Sequence, residues 1–558
     1  MKKALALLLM TALFIGSMGL AANAEDADKS TLTIALSSAY PFSGQFTAAY
    51  NMDLLDYDIT NWFIEPLLTF DDQTMAYVEA AASLAYDRQA QTVTLTMKEG
   101  VTWHDGEPVT LDDLVYAYEV LADPGYTGGM YAGAITYITG INDFHTGAAD
   151  SIAGMALSGD EMTLTIHFDT FLPSVIEGSL WLDPLPRHYM GDLTAEAFPQ
   201  SEKARAKALG FGPYKLADVV EGESVRLEAY QGYWQGVPSI DEITLTVVSP
   251  GMIPSAMAEG LYDIAPYPTS EYNKDVTPEN FHFVLLPDRW YQYTGFHLGH
   301  FDAETGMNVT DPASKMYNVN LRKAIGYAVD MPSIYEAYYN GLRGMVTTVM
   351  PPAFAVYIDP SIPGYPYDPE LAGQLLDEAG YLDINGDGFR EDPAGEPLAI
   401  QWAVPNSNDE TVAQYKIQCW ADVGLHVELL SGNLMDTNAF YGMLMADDPS
   451  IDMFEAGWTL ETNANVVGAW SRASFMNLTR FESDEMEALL QAIEGDAAWD
   501  FDARQQAYYA WENYIFENPP AIPTMWRTQL YAVSNRVQGF DPTPTRYALT
   551  RHLITIGE

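Results

Sequence analysis

A chain of 558 residues that sets 77 Asp and Glu against 26 Lys and Arg carries a formal net charge of −51, which excludes nucleic acid and anionic membrane surfaces as natural partners. Its 48% hydrophobic content is enough to bury the cores of two or three domains. The lone cysteine, Cys419, excludes an intrachain disulfide, so those cores must hold the fold unaided.

The chain opens with "MKKALALLLMTALFIGSMGLAANA", two lysines before an apolar run that ends on the small-x-small triplet Ala22-Asn23-Ala24. That pattern predicts a secretory signal peptide over residues 1–24, cleaved before Glu25. No cysteine lies near the junction, so the mature chain is expected outside the cytoplasmic membrane, periplasmic or at the cell surface, without a lipid anchor of its own. No later stretch reaches the roughly eighteen uninterrupted apolar residues of a membrane span.

Alternating runs at 31–38, 92–97, 162–168, 224–230 and 242–248 predict strands with one buried face. Between them, "TWHDGEPVTLDDLVYAYEVL" (102–121) gathers His104, Asp105, Glu107, Asp112 and Asp113 within ten residues. The types suggest chemistry, but the order reads as structure. Asp105-Gly106 is a turn pair, Thr110 to Asp113 is a capping box, and Leu111, Leu114, Val115, Tyr118 and Leu121 make one apolar helix face. Further on, His297 and His300 in "GFHLGHFD" have extended neighbours and lack a third ligand, so they read as structural.

Beyond about residue 320 helices dominate. Segments 321–329, 368–380 and 483–493 each show an apolar stripe, and the second is bounded by Asp368 as cap, Pro369 in the first turn and Gly380 at the end. In the next loop, "DINGDGFRED", Asp383, Asn385 and Asp387 match the first, third and fifth positions of a calcium loop and Gly388 its turn glycine. The twelfth position is Ala394 where a bidentate Glu is needed, and an Asn-Gly/Asp-Gly turn is the competing reading. Cys419 lies in an amphipathic segment and reads as a buried, inert thiol. No Gly-x-Ser-x-Gly elbow, phosphate loop, Gly-x-Gly-x-x-Gly or His-Glu-x-x-His occurs, and no cofactor is expected. Strands interleaved with helices over this length predict an α/β architecture.

Several strings taken together resemble one family: "NWFIEPLLTFD" (61–71), "LTMKEGVTWHDGEPVTLDDLVYAYEVLADP" (95–124), "GFGPYKL" (210–216), "YQGYWQGVPSIDEITLTVV" (230–248), "NVNLRKAIGYAVDMPSIYEAYYNG" (318–341), "YDPELAGQLLDEAGYLDINGDGFRE" (367–391) and "NLTRFESDEMEALL" (477–490). Their order is similar to that of the family 5 solute-binding proteins, the oligopeptide- and dipeptide-binding components of ABC importers. The resemblance implies a periplasmic-binding-protein-like two-lobed clamp (type II, cluster C) with an extra subdomain in the first lobe. It implies domain I over 25–69, 186–289 and 522–558, domain II over 70–185 and domain III over 290–521. It implies a monomer that closes on a peptide and delivers it to membrane permease subunits, with no chemical step. In the family's peptide binders a Gly-Trp-x-x-Asp string places an Asp on the peptide amine. Here "EAGWTLETNAN" aligns Gly457, Trp458 and Thr459 and puts Glu461 at the acidic position. The segment "RWYQYTGFHLG" (289–299) implies that Trp290, Tyr291 and Tyr293 line the cleft. The alternatives are a non-peptide solute such as an oligosaccharide or nickel chelate, a secreted hydrolase, and a receptor reporting to a membrane sensor.

Overall fold

A computed structural model describes residues 29–50, 53–71, 74–460, 464–543 and 549–557. The expected signal peptide, residues 1–24, lies outside them. The architecture is α/β. Its backbone is an eleven-stranded sheet in two halves.

One half begins at an edge with Tyr214–Val220, Ser224–Ala229 and Glu242–Val248, then Thr31–Ser37 and Ile264–Pro266. Thr31–Ser37 runs parallel to Glu242–Val248, with Thr31 opposite Glu242. The other half holds Met453–Thr459, Ala399–Ala403 and His426–Leu429, the last two parallel. Two long antiparallel strands, Phe281–Phe296 and Ala521–Ser534, belong to both halves and join them.

A separate four-stranded antiparallel sheet, Ala82–Asp87, Thr92–Met97, Thr163–His167 and Met155–Leu157, carries the helix Leu111–Leu121. Val93, Leu95, Leu164 and Ile166 alternate inward to meet Leu111, Leu114, Tyr118 and Leu121 in one core. The second half of the large sheet has its own core around Trp402, Trp420, Tyr508 and Trp511. The predicted strands appear within a residue of each expected end, and helices Val319–Tyr327, Pro369–Glu378 and Asp484–Ile493 fall where the stripes put them. Asp368 caps the second through the Leu371 N–H at 2.9 Å, and Ser483 caps the third through Met486 N–H at 3.0 Å. Cys419 is buried, and burial pushes its thiol up.

The acidic cluster of 102–121 is structural. Buried Asp113 accepts the Trp103 Nε1–H at 2.9 Å, the Thr110 N–H at 3.1 Å and the Arg187 N–H at 2.9 Å. One carboxylate thus ties turn, helix start and the segment returning from the small sheet. His104 bonds the Gly212 carbonyl at 3.0 Å through Nε2, and burial pushes its pKa down to about 4. His297 bonds the Ile451 carbonyl at 2.9 Å, while His300 is exposed on the next strand, Gly299–Asp302. In the 383–391 loop, Asp383 accepts the Gly386 and Gly388 N–H groups, and the Asn385 amide donates to Asp387 and Glu391. These bonds make the loop a set of Asx turns. Among the described residues no three His, Cys, Asp or Glu converge as a metal site.

Two stability predictions follow from these buried carboxylates. Asp113→Ala orphans three donors, and is expected to lower unfolding free energy by about 2–4 kcal/mol in urea denaturation followed by far-UV circular dichroism. Glu512, wholly buried, accepts the Thr348 hydroxyl at 2.6 Å and the Asp359 N–H at 2.7 Å, and burial raises its carboxyl from 4.5 to about 8. A raised folded pKa means that its stabilising contribution is complete below pH 4.5 and is lost as pH climbs through about 8. Glu512→Gln should therefore be more stable than the parent at pH 9, on the order of 2 kcal/mol, and the gap should close by pH 5.

Candidate functional site

The site is built where the two long strands cross between the halves. Phe281–Phe296 pairs with Ala521–Ser534 from Phe281↔Ser534 to Pro287↔Thr528, then resumes at Tyr291↔Trp526. Four steps on one strand answer two on the other. Pro287 offers no N–H to the ladder, and Asp288, Arg289 and Trp290 bulge out of it. Past the bulge the strand acquires a second partner, with Trp290 opposite Thr459, Tyr291 opposite Trp458 and Gln292 opposite Gly457. Two sequence segments that were nominated separately are thus hydrogen-bonded neighbours.

Strand alternation sorts the nominated residues onto two faces. Trp290, Gln292 and Thr294 share one face with Glu455, Gly457 and Thr459. Trp290 is half-buried, and a Cβ on Gly457 would lie 2.6 Å from its indole Nε1, so the ring rests against that glycine. Gly457 is therefore a matter of close approach. Tyr291 and Tyr293 point the other way, with Trp458. They are 1% and 4% exposed, and Tyr293 packs on Phe454 and Trp470 with ring centroids 6.1 and 5.9 Å apart. The expectation that they line a cleft is corrected: residues 290 and 291 cannot share a face, and the tyrosines are core. Trp458 is half-buried and Thr459 exposed at the strand end. Glu461 lies outside the described residues.

The polar face continues inward as a network that sequence reading missed. Lys416 and Glu455, with side chains 3% and 2% exposed, form an ion pair at 2.8 Å. Gln292 donates to Glu455 at 2.8 Å and to Asn408 at 2.6 Å, and the Thr294 hydroxyl donates to Glu455 at 2.8 Å. Glu455 stands two residues before Gly457 and so had to face the same way. Its partner on helix Glu410–Asp422 left no local signal.

Around Trp290 the charges are cationic. The Arg527 guanidinium lies 4.9 Å and that of Arg343 5.5 Å from its ring centroid, and Arg343 also lies 5.1 Å from Tyr339. Arg343 and Arg527 are opposite one another on paired strands, and Arg527 forms an ion pair with Asp288 of the bulge. Burial, reinforced by the Arg527 charge, brings the Arg343 guanidinium down to about 10, so it stays cationic at neutral pH.

The part of the chain that carries the small sheet also touches the second half directly. Arg504, 1% exposed, forms an ion pair with Glu177 and lies 3.5 Å from Glu494, while Glu494 accepts the Ser174 N–H at 3.2 Å. The Tyr357 hydroxyl donates to Glu177 at 3.2 Å. Burial lifts the Glu177 carboxyl to about 7 against the pull of Arg504. Trp499 sits between Tyr86 and Phe171, at 5.4 and 4.9 Å. The arrangement is two bodies joined by a two-strand crossing and touching again through these ion-pair and aromatic contacts.

Lys416→Met removes the cation bonded to the buried Glu455 carboxylate, and is expected to cost about 3–5 kcal/mol by chemical denaturation. The double variant Lys416→Met, Glu455→Gln should recover most of that loss, because no unpaired charge remains.

Comparisons with known proteins agree with this geometry. The sequence model described as bacterial extracellular solute-binding proteins, family 5 Middle, matches residues 77–472. The oligopeptide-binding protein OppA of Lactococcus lactis subsp. lactis is 29% identical over 485 residues, covering 85% of this chain and 80% of OppA. The oligopeptide-binding protein AppA of Bacillus subtilis (strain 168) is 22% identical over 514 residues, covering 90% of this chain and 87% of AppA. The structure of lactococcal OppA complexed with an endogenous peptide in the closed conformation superposes with a TM-score of 0.74 at 26% identity, over 94% of this chain and 100% of that one. The fold is thus the two-lobed clamp.

Proposed function

We propose that this chain, which belongs to the bacterial extracellular solute-binding proteins of family 5, captures a peptide between two lobes outside the cytoplasmic membrane and delivers it to an ABC-transporter permease. The observation that carries the reading is the crossing: two hydrogen-bonded strands, bulged at Asp288 to Trp290, connect the lobes beside a strand whose glycine lets an aromatic lie flat. A ligand held there touches both lobes, so it binds the closed form better and shifts the population toward it. An extended peptide suits such a site, because backbone amides supply affinity without demanding a particular sequence. The peptide-bound lactococcal OppA is the relative that favours this ligand class over an oligosaccharide or nickel chelate.

In this reading domain I comprises 25–69, 186–289 and 522–558, domain II 70–185, and domain III 290–521. The hinge falls at the bulge, where the register changes. No chemical step is assigned, and the protein acts as a monomer. Glu461, two residues beyond the strand Met453–Thr459, is the partner of the peptide amine. A charged amine in a closed cleft requires one.

Native mass spectrometry after incubation with an oligopeptide pool tests the reading. Intact peptides retained by the protein are the expected result, and cleaved products would instead indicate a hydrolase. Glu461→Ala should weaken binding of free-amine peptides roughly tenfold or more, while leaving N-acetylated peptides unchanged. Equal affinities in the variant and the parent would remove Glu461 from the site.

A further inference from the structure

The acidic balance of the chain makes its arginines informative. With nearly three acids per base, carboxylates are plentiful wherever a guanidinium goes. Among the described residues every arginine but two gives its guanidinium a hydrogen bond or ion pair within the chain. The two are Arg289 and Arg343. Both adjoin Trp290, the first by sequence and the second by stacking.

Arg343 is the better placed. It is half-buried, so part of its hydration is gone without a protein anion to replace it. The rings of Trp290 and Tyr339 fix its plane. They satisfy none of its in-plane N–H donors, and a guanidinium stacked on a ring keeps its N–H edge free for bidentate bonds. The nearest carboxylate that acts on it, Asp288, is already engaged by Arg527, whose strand lies opposite. Asp288 is the one carboxylate whose charge acts on Arg343, and its ion pair with Arg527 leaves the Arg343 donors without an anion of their own. Trp290 in turn rests on Gly457, so this corner borders the strand along which the ligand is proposed to lie.

We propose that Arg343 is a specificity-determining residue that receives a carboxylate of the bound ligand in a bidentate ion pair. The shared chemistry is a carboxylate, supplied by a peptide C-terminus or by an acidic side chain. The proposal rests on the peptide reading above. A carboxylate there neutralises the Arg343 charge and fills the open donor edge, which gives the site an orientation: the anionic group at Trp290, the rest of the ligand along the strand of Gly457.

The test compares the parent, Arg343→Gln and Arg343→Lys with synthetic mixed-sequence oligopeptide pools, prepared with free or amidated C-termini and with Asp and Glu either included or replaced by Asn and Gln. Binding is read by competition native mass spectrometry, and thermal melts establish that each variant is folded. The parent is expected to prefer carboxylate-bearing peptides about tenfold to a hundredfold, the range of one charge-assisted hydrogen-bonded pair. Arg343→Gln should lose that preference while keeping parental affinity for the amidated, acid-free pool, and Arg343→Lys should recover part of it. Loss confined to the amidation series identifies the C-terminus; loss confined to the Asp/Glu series identifies a side chain. An unchanged preference in Arg343→Gln overturns the proposal. If no peptide binds the parent, the peptide reading falls, and the compounds that co-purify decide for Arg343: carboxylates retained by the parent and absent from Arg343→Gln support the subsite, while equal retention overturns it.

Discussion

Everything in this molecule hangs on a ladder that two lobes share. Phe281–Phe296 and Ala521–Ser534 are longer than ordinary strands because each must serve two sheets, first one half and then the other. A continuous regular ladder would lock the halves into one rigid twisted sheet. The bulge from Pro287 to Tyr291 interrupts it where the pairing environment changes, and a second register shift follows between Gln292 and Tyr293. The crossing is therefore strong along the strands, where hydrogen bonds repeat, and compliant at these two register shifts. That combination lets lobes move as bodies while keeping their relative setting reproducible.

The polarity of the site follows from the same geometry. A strand at the crossing must bury one face in the second core and turn the other toward the junction. Tyr291 and Tyr293 serve the first need; Trp290, Gln292 and Thr294 serve the second. Toward the interior the second face ends in the closed circuit of Lys416, Glu455, Gln292 and Asn408, whose charges are matched within hydrogen-bond distance. Toward the junction it ends in Arg343 and Arg527 around Trp290. The first network is closed by hydrogen bonds, whereas the Arg343 guanidinium stacks on Trp290 and Tyr339 with no hydrogen bond to another described residue.

Much of the fold was legible because local rules and global packing agree. The helix Leu111–Leu121 announced itself through Thr110, Asp113 and its apolar spacing, and the structure adds that Asp113 also holds the Trp103 indole N–H and the Arg187 N–H from 74 residues away. The double service of residues 281–296 was not legible, since the partners that create it sit 157 to 253 residues downstream and pairing register leaves no local mark. Period-two alternation alone would have separated Trp290 from Tyr291; a family resemblance treated the segment as a unit and so put core tyrosines at the site. Arg343 escaped notice for a different reason. In sequence it is one base among acids, and only the spatial absence of a carboxylate sets it apart.

The long crossing strand Ala521–Ser534 also fixes when the molecule can become native. Ile264 pairs with Val533, and Arg536 reaches the Thr31 carbonyl across 505 residues of chain. Glu65 is held by Arg551 across 486. The half of the sheet begun by Thr31–Ser37 is thus completed only by segments hundreds of residues later in the chain. Both halves of the large sheet need Ala521–Ser534, which also gives Ala521, Ile522 and Met525 to the second core, and closing so long a loop is slow and entropically costly. In a vectorially made chain the shared ladder therefore stays open until Ala521–Ser534 has been made, so completing the two halves of the sheet and joining them are one event.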